Sequence, residues 1–227
     1  MRVNLWVKIM TDTGSENLRD RLVVAMLPHI PFDGWGYDAL RMAADDIGVA
    51  SSQAQKLFPG GARDLIAWHS KMADMAMVEA LSNLDLTSMK IRTRIATAVR
   101  TRLEQIETNR EAVRKGLNFL TLPTNAALGL ELLYQTVDDM WHMAGDTSTD
   151  WNFYSKRMLL SGVYSSTLLC WLNDTSEGYV DTWDFLDRRI SDVMKVPQIK
   201  SKITQCFDFI PRRMRAMRSF KSGPASS

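Results

Sequence analysis

The chain has 227 residues, 45% hydrophobic and 24% charged, with a formal net charge of +2, a length that allows one large domain or two small ones around an ample apolar core. No apolar run is long enough to cross a bilayer, the longest near the start, LVVAML, stopping at Pro28. The only cysteines, Cys170 and Cys206, sit in apolar periodic settings, which excludes a disulfide framework and suggests buried thiols in a reducing cytoplasm.

Taken in chain order, the opening MRVNLWVKIMTDTG is basic and partly apolar but too short and mixed for a secretory signal. Residues 1–16 read as a flexible extension, with Met10 as an alternative start. Helical periods then dominate, and no strand pair with a hairpin turn emerges. They predict helices over 17–28, 37–47, 51–57, 62–83, 87–107, 109–120, 124–144, 152–173, 180–194 and 198–220. Pro28, Pro31, Gly34 and Gly36 separate the first pair, Gly48 the second, and Pro59-Gly60-Gly61 the third. Thr124 is expected as an N-cap, and Gly145 as a helix stop. The expected organisation is a three-helix subdomain over 17–61, a helical domain over 62–195, a terminal amphipathic helix over 196–220 and a disordered tail over 221–227.

Charge is concentrated at the end. From Lys195 onward there are eight basic residues and one acidic, a charge of +7, which leaves −5 for residues 1–194 out of the total of +2. Within the last predicted helix, Ile199, Ile203, Cys206, Phe207, Ile210, Met214 and Met217 fall on one arc of roughly 100°. Lys200 and Arg218 flank it on one side, Lys202 and Arg213 on the other. Basic stems beside an apolar stripe suit a helix lying on an anionic membrane surface. The competing arrangement packs the stripe on its own domain, and Pro211 kinks the helix in either case.

The succession of Leu22 to Leu27, Gly36-Tyr37-Asp38-Ala39-Leu40-Arg41-Met42-Ala43-Ala44, Gly48-Val49, Gln53 to Leu57 and Phe58-Pro59-Gly60-Gly61 resembles the N-terminal domain of TetR-type regulators. The resemblance implies that Ala43 and Ala44 let two helices cross closely and that Gly48 makes the turn of a helix-turn-helix. Residues 48–61 hold one basic residue, Lys56, and the preceding helix sets Asp38, Asp45 and Asp46 against Arg41. Gln53 and Gln55 suit base contacts, but this is a poor frame for phosphate. No nucleic-acid partner is therefore expected.

The stretch from Val137-Asp138-Asp139-Met140-Trp141-His142 through Trp151-Asn152-Phe153-Tyr154-Ser155-Lys156-Arg157, followed by Tyr164, the Asp174-Thr175-Ser176 turn and Asp181 to Ile190, is similar to the coenzyme Q biosynthesis protein nine family. That resemblance implies an all-α, TetR-like helical bundle with a helix-turn-helix-like subdomain and a C-terminal amphipathic membrane helix. It further implies a non-catalytic lipid-binding accessory protein, which we expect to be a homodimer through its later helices and to bind a polyprenylated quinone intermediate. The lipid would then be presented to the di-iron demethoxyubiquinone hydroxylase. The family's partner patch carries over onto Asp138, Met140, Phe153 and Tyr154. Residues alone agree in kind, since the helices holding Leu130, Leu133, Tyr134, Val137 and Trp141, and Leu160, Val163 and Tyr164, are apolar on several faces, as befits a dense interior or an apolar ligand. These eight residues are the expected lipid contacts.

Catalytic signatures are missing from the sequence. There is no Glu-x-x-His pair for a di-iron centre, no phosphate-binding glycine loop and no nucleophile elbow. His142 shares a helix face with Asp138 and Asp139, read as a satisfied polar pair. His29 and His69 lack a nucleophile at motif spacing. The expectation is a protein that is no enzyme and needs no cofactor or metal, cytoplasmic and peripherally attached to the inner membrane of a bacterium. A TetR-type ligand-responsive transcriptional regulator is the alternative, and a divergent enzyme a further one.

Overall fold

A computed structural model of the chain describes residues 15–146 and 151–195. Every regular element among them is helical. Helix α1 is Ser15–Met26, α2 Ile30–Asp33, α3 Tyr37–Asp46, α4 Ser51–Leu57, α5 Ala62–Ser82, α6 Ile91–Gln105, α7 Arg110–Leu120, α8 Ala126–Met143, α9 Trp151–Asn173 and α10 Val180–Lys195. Short 3-10 turns at Glu107–Asn109 and Glu177–Tyr179 precede α7 and α10. The predicted helix over 198–220 lies outside the described residues, as do Cys206 and all the expected membrane contacts from Ile199 to Arg218.

Helix α3 buries one face, Ala39, Leu40, Ala43 and Ala44, against Leu22, Val23 and Met26 of α1. Both alanines at 43 and 44 have zero exposure, and their short side chains allow the close crossing expected of them. Gly48 turns the chain at φ +69°, a left-handed conformation that costs a β-carbon-bearing residue more than glycine. Its amide donates to the Asp45 carbonyl, and the Val49 amide to that of Ala44 at 2.8 Å. Helix α4 buries only Ala54, so Phe58, 1% exposed, anchors its end.

Three local expectations are corrected. The segment around Pro31, read as a break, holds the short helix α2, because proline fits the first turn where its missing N–H is not needed. Helix α6 starts at Ile91 rather than 87, since Asp85 accepts hydrogen bonds from the Thr87 and Ser88 amides and holds that stretch as a turn. Thr124 is not the cap of α8. Asn125 precedes it without a side-chain cap, and its amide instead accepts from Arg63 at 2.9 Å and donates to the Phe119 carbonyl at 3.1 Å.

Residues through Ile190 form one compact unit, and Ser191–Ser227 form a second, of which only the first residues are described. Within the first unit the helix-turn-helix-like segment shares its core with the bundle. Leu22, Leu40 and Phe58 are contiguous with Leu65, Ile66 and Met72 of α5, Ala112 of α7 and Leu132 of α8. Helix α5 packs on α1, α6 and α8, while α8 also meets α6, α7 and α9. Two arginines of α7 bind the end of α9: Arg110 donates to the Trp171 and Asp174 carbonyls, both at 2.5 Å, and Arg114 to that of Leu172. These are carbonyls that a helix terminus otherwise leaves open, at its negative end.

Candidate functional site

Helices α5 to α9 do not close completely on one another. Between them lies a cavity of about 470 Å³, within the range of about 300–1,000 Å³ usual for small-ligand sites. Its wall is almost wholly apolar, formed by Trp35 and Ile66, by Ile106 of the turn after α6, by Ala112, Val113, Gly116, Leu117 and Leu120 of α7, by Leu130, Leu132 and Leu133 of α8, and by Leu168 and Leu169 of α9. Small residues on α7 create much of the room. A β-carbon at Gly116 would meet Trp35 Nε1 at 3.3 Å, and that indole is fixed by donating to the Ala112 carbonyl at 2.9 Å.

The two ends of the cavity differ. At the mouth, Leu130 is 68% and Leu169 52% exposed. At the floor stand His69, Arg102, Thr136 and Tyr164, all buried. Arg102 Nε donates to Asp74 Oδ1 at 2.6 Å, and the Thr136 hydroxyl lies 2.9 and 3.0 Å from the two Asp74 oxygens. Burial opposes the charge on Arg102, but Asp74, Tyr164 and Asp139 together outweigh it and hold the guanidinium above its ordinary value. Burial, aided by Arg102, pulls His69 down to about 3, so the imidazole is neutral. Burial also pushes the Tyr164 phenol up, which keeps its proton in place.

Of the expected lipid contacts, Leu130, Leu133 and Tyr164 line this cavity. Val137, Leu160 and Val163 are buried in the interior, 0%, 3% and 5% exposed, outside its wall, and Tyr134 lies exposed. The Trp141 indole donates to the Lys156 carbonyl at 3.1 Å, a link between α8 and α9. Sequence reasoning missed Trp35, Ile66, His69, Arg102 and the α7 wall. The small residues Ala112 and Gly116, four apart on one face of a helix, were the available signal.

The expected partner patch separates into different environments. Asp138 Oδ1 accepts from Arg157 Nε at 2.5 Å, and Asp146 accepts from Lys156 at 2.6 Å and Arg157 at 3.4 Å. The Arg157 and Asp146 side chains are only 7% and 4% exposed. The aspartates and the Lys-Arg pair of the recognised stretch are thus an ionic clamp between α8 and α9, buried at Arg157 and Asp146 and partly exposed at Asp138 and Lys156. Met140 has zero exposure, which corrects its placement on a surface. Tyr154 is 61% exposed, and the side chain of Phe153 lies outside the described residues. Gly145, at φ +85°, ends α8 as expected. The Asp146 amide reaches back to the Trp141 carbonyl at 3.0 Å, the six-to-one bond of a Schellman motif.

A helix-turn-helix-like segment joined through one core to a bundle that encloses an apolar cavity defines a TetR-like all-α protein. The crystal structure of the TetR transcriptional regulator from Nitrosomonas europaea is similar, with a TM-score of 0.64 over 77% of this chain and 97% of that one, at 18% identity. That likeness establishes the fold alone. The family model described as COQ9 matches residues 126–197, the span of α8, the clamp, α9 and α10. Proteins named "Ubiquinone biosynthesis protein COQ9, mitochondrial" from Rattus norvegicus and Homo sapiens are each 34% identical over 197 residues, covering 82% of this chain and 63% and 62% of theirs. The protein of the same name from Drosophila melanogaster is 27% identical over 82% of this chain and 58% of its own. The chain is thus similar to COQ9 proteins over most of its own length, and spans slightly under two thirds of the length of these relatives. Their names overturn one expectation. All are mitochondrial proteins of eukaryotes, which points to a mitochondrion rather than to the inner membrane of a bacterium.

Proposed function

We propose that this protein serves ubiquinone biosynthesis as a lipid-binding accessory protein without catalytic activity of its own. In this reading it holds a polyprenylated quinone intermediate at a membrane and presents it to the di-iron demethoxyubiquinone hydroxylase. The observation that carries the reading is the apolar cavity of about 470 Å³ with two exposed leucines at its rim. An isoprenoid chain has a large transfer cost into water, about 0.8 kcal/mol for each methylene-sized group, so a carrier with a dry interior relieves that cost during transfer. The names of the relatives supply the pathway and the mitochondrial setting. The basic, apolar-striped residues 198–220 supply the means of membrane attachment, and the exposed apolar residues of α8 and α9, Leu130, Tyr134, Met158 and Leu169, a surface for a second copy of the chain.

The regulator alternative draws little support from α3 and α4. Lys56 is the one basic residue of α4, Asp38, Asp45 and Asp46 are exposed, and Arg41 stands 3.9 Å from Asp45. Mass spectrometry of lipid retained through purification tests the proposal. A co-purifying polyprenylated quinone, and loss of liposome flotation in a chain ending at Pro197, are the expected results. Purification free of any isoprenoid, with flotation unchanged by the truncation, would overturn it.

A further inference from the structure

An apolar carrier has no use for a buried guanidinium, yet Arg102 stands at the floor of the cavity, 4% exposed. Its donors divide unevenly. Nε is committed to Asp74 at 2.6 Å and Nη2 to the Ser70 carbonyl at 3.3 Å, while the buried Nη1 has no hydrogen-bond partner among the described residues. A buried donor left without an acceptor is costly, more so when charged. Thr136 cannot relieve it, because its hydroxyl is engaged with Asp74. Tyr164 adds a hydroxyl to the same floor, near enough to Arg102 and Asp74 for their charges to act on it.

The charge balance at this floor selects the kind of group that fits. Arg102 and Asp74 cancel, and His69, whose ring lies 5.2 Å from that of Trp35, carries no charge. Asp139 is held up by burial and then by Asp74 and Asp138, a sign that further negative charge is unwelcome nearby. A carboxylate or phosphate entering here would give a site of low dielectric an uncompensated charge. A plain hydrocarbon would leave the donor empty.

We infer that the cavity takes its ligand oxygen-first: a neutral acceptor, such as a quinone or ester carbonyl, meets Arg102 Nη1 and the Tyr164 hydroxyl at the floor, and the apolar chain runs out past Leu130 and Leu169. This rests on the reading of the cavity as a lipid site and assigns its polarity. In the carrier state the ring is therefore the buried end, and it leaves the floor only on transfer.

The test uses the full chain loaded with the neutral fluorophore phenylnaphthylamine and three competitors: decylbenzoquinone, decylbenzene and decanoate. The quinone is expected to displace the fluorophore about tenfold or more better than decylbenzene, the discrimination of a hydrogen bond to a charged donor, and also better than decanoate. Its carbonyl stretch should move to lower frequency on binding. Because Arg102→Met alone strands Asp74, the variant is the pair Arg102→Met with Asp74→Leu, a replacement of both charges by apolar groups that proteins often tolerate. Checked for an intact melting transition, it should bind the quinone and decylbenzene equally, with no carbonyl shift. Equal displacement by the two in the unaltered chain, a preference that survives in the double variant, or decanoate as the best competitor would each overturn the inference while leaving the lipid site standing. Failure of every probe to bind would instead remove the lipid site itself.

Discussion

The two halves of α8 are both rich in apolar residues and opposite in use. From Ala126 to Leu133 its inner side faces an unfilled space, with Leu130 and Leu133 on the wall. From Val137 to Met143 the space is closed, with Val137 and Met140 at zero exposure and Asp138 tied to Arg157. The difference comes from the helices opposite. Helix α7 offers the first half Ala112 and Gly116, whereas α9 offers the second half Lys156, Arg157 and a filled interior. A void is thus made by what a neighbour withholds, and a clamp by what it supplies.

Breaking the clamp should have the largest effect. Asp146→Ala removes a 4% exposed acceptor shared by Lys156 and Arg157 while Arg157 keeps Asp138 at 2.5 Å, so the cost is that of lost hydrogen bonds to charged groups, about 3 kcal/mol, rather than of a stranded charge. Urea unfolding followed by circular dichroism measures it. A loss under about 1 kcal/mol would show that the Lys156 and Arg157 contacts contribute little to holding α8 on α9.

Filling the void sharpens the contrast from the other side. Gly116→Leu directs a side chain into the space where a β-carbon already meets Trp35 Nε1 at 3.3 Å. Overpacking of this kind costs about 1–3 kcal/mol, and lipid retained through purification should fall sharply. Retention at the level of the unaltered chain would place the ligand elsewhere.

Much of this architecture is legible in the residues, and the part that is not has a physical reason. Gly48, Gly145 and Pro59 mark helix ends because each acts through its own backbone, and the helices follow the apolar period. Cavities and ion pairs depend on distances between helices, to which periodicity is blind. Val137 follows Leu133 by four residues and shares its face, so the sequence enrols both as lipid contacts. Only the fold shows that Thr136, Asp74 and Arg102 close the floor between them. In the same way Asp138 looks like a solvated carboxylate until Arg157, nineteen residues on, is found beside it.

A third comparison lies at the far end of α9, where Asp174 gathers the turn into α10 much as Asp146 gathers the turn out of α8. Asp174 accepts from the Ser176 amide and hydroxyl at 2.8 and 2.6 Å and from those of Thr182 at 2.9 and 2.6 Å. Burial works against its ionisation, but these donors prevail and bring it down from 3.8 to about 2. Stabilisation from a carboxyl depressed in the folded state is complete above its unfolded value and disappears as pH falls through the folded one. The contribution of Asp174 should therefore hold above pH 3.8 and be lost toward about pH 2. At neutral pH, Asp174→Ala should cost about 1–2 kcal/mol, as the loss of a cap does, and the deficit should shrink over that acid window. A deficit independent of pH would assign the effect to packing.

The smallest effect on stability belongs to Tyr154, and it separates surface from interior in the recognised stretch. With 61% of its surface exposed, it can be truncated at a cost within about 0.5 kcal/mol, whereas Met140, on the preceding helix, is sealed in the core. An exposed aromatic is a common anchor of an interface, where truncation typically costs more than 1 kcal/mol of binding energy. If the proposed partner is the hydroxylase, Tyr154→Ala should leave the melting temperature unchanged and weaken its binding about tenfold, read by surface plasmon resonance with the purified enzyme. Equal melting with equal affinity would take Tyr154 out of the partner surface. Since Met140 is buried, that result would leave Asp138, still 42% exposed beside Arg157, and Phe153 as the members of the expected patch to examine.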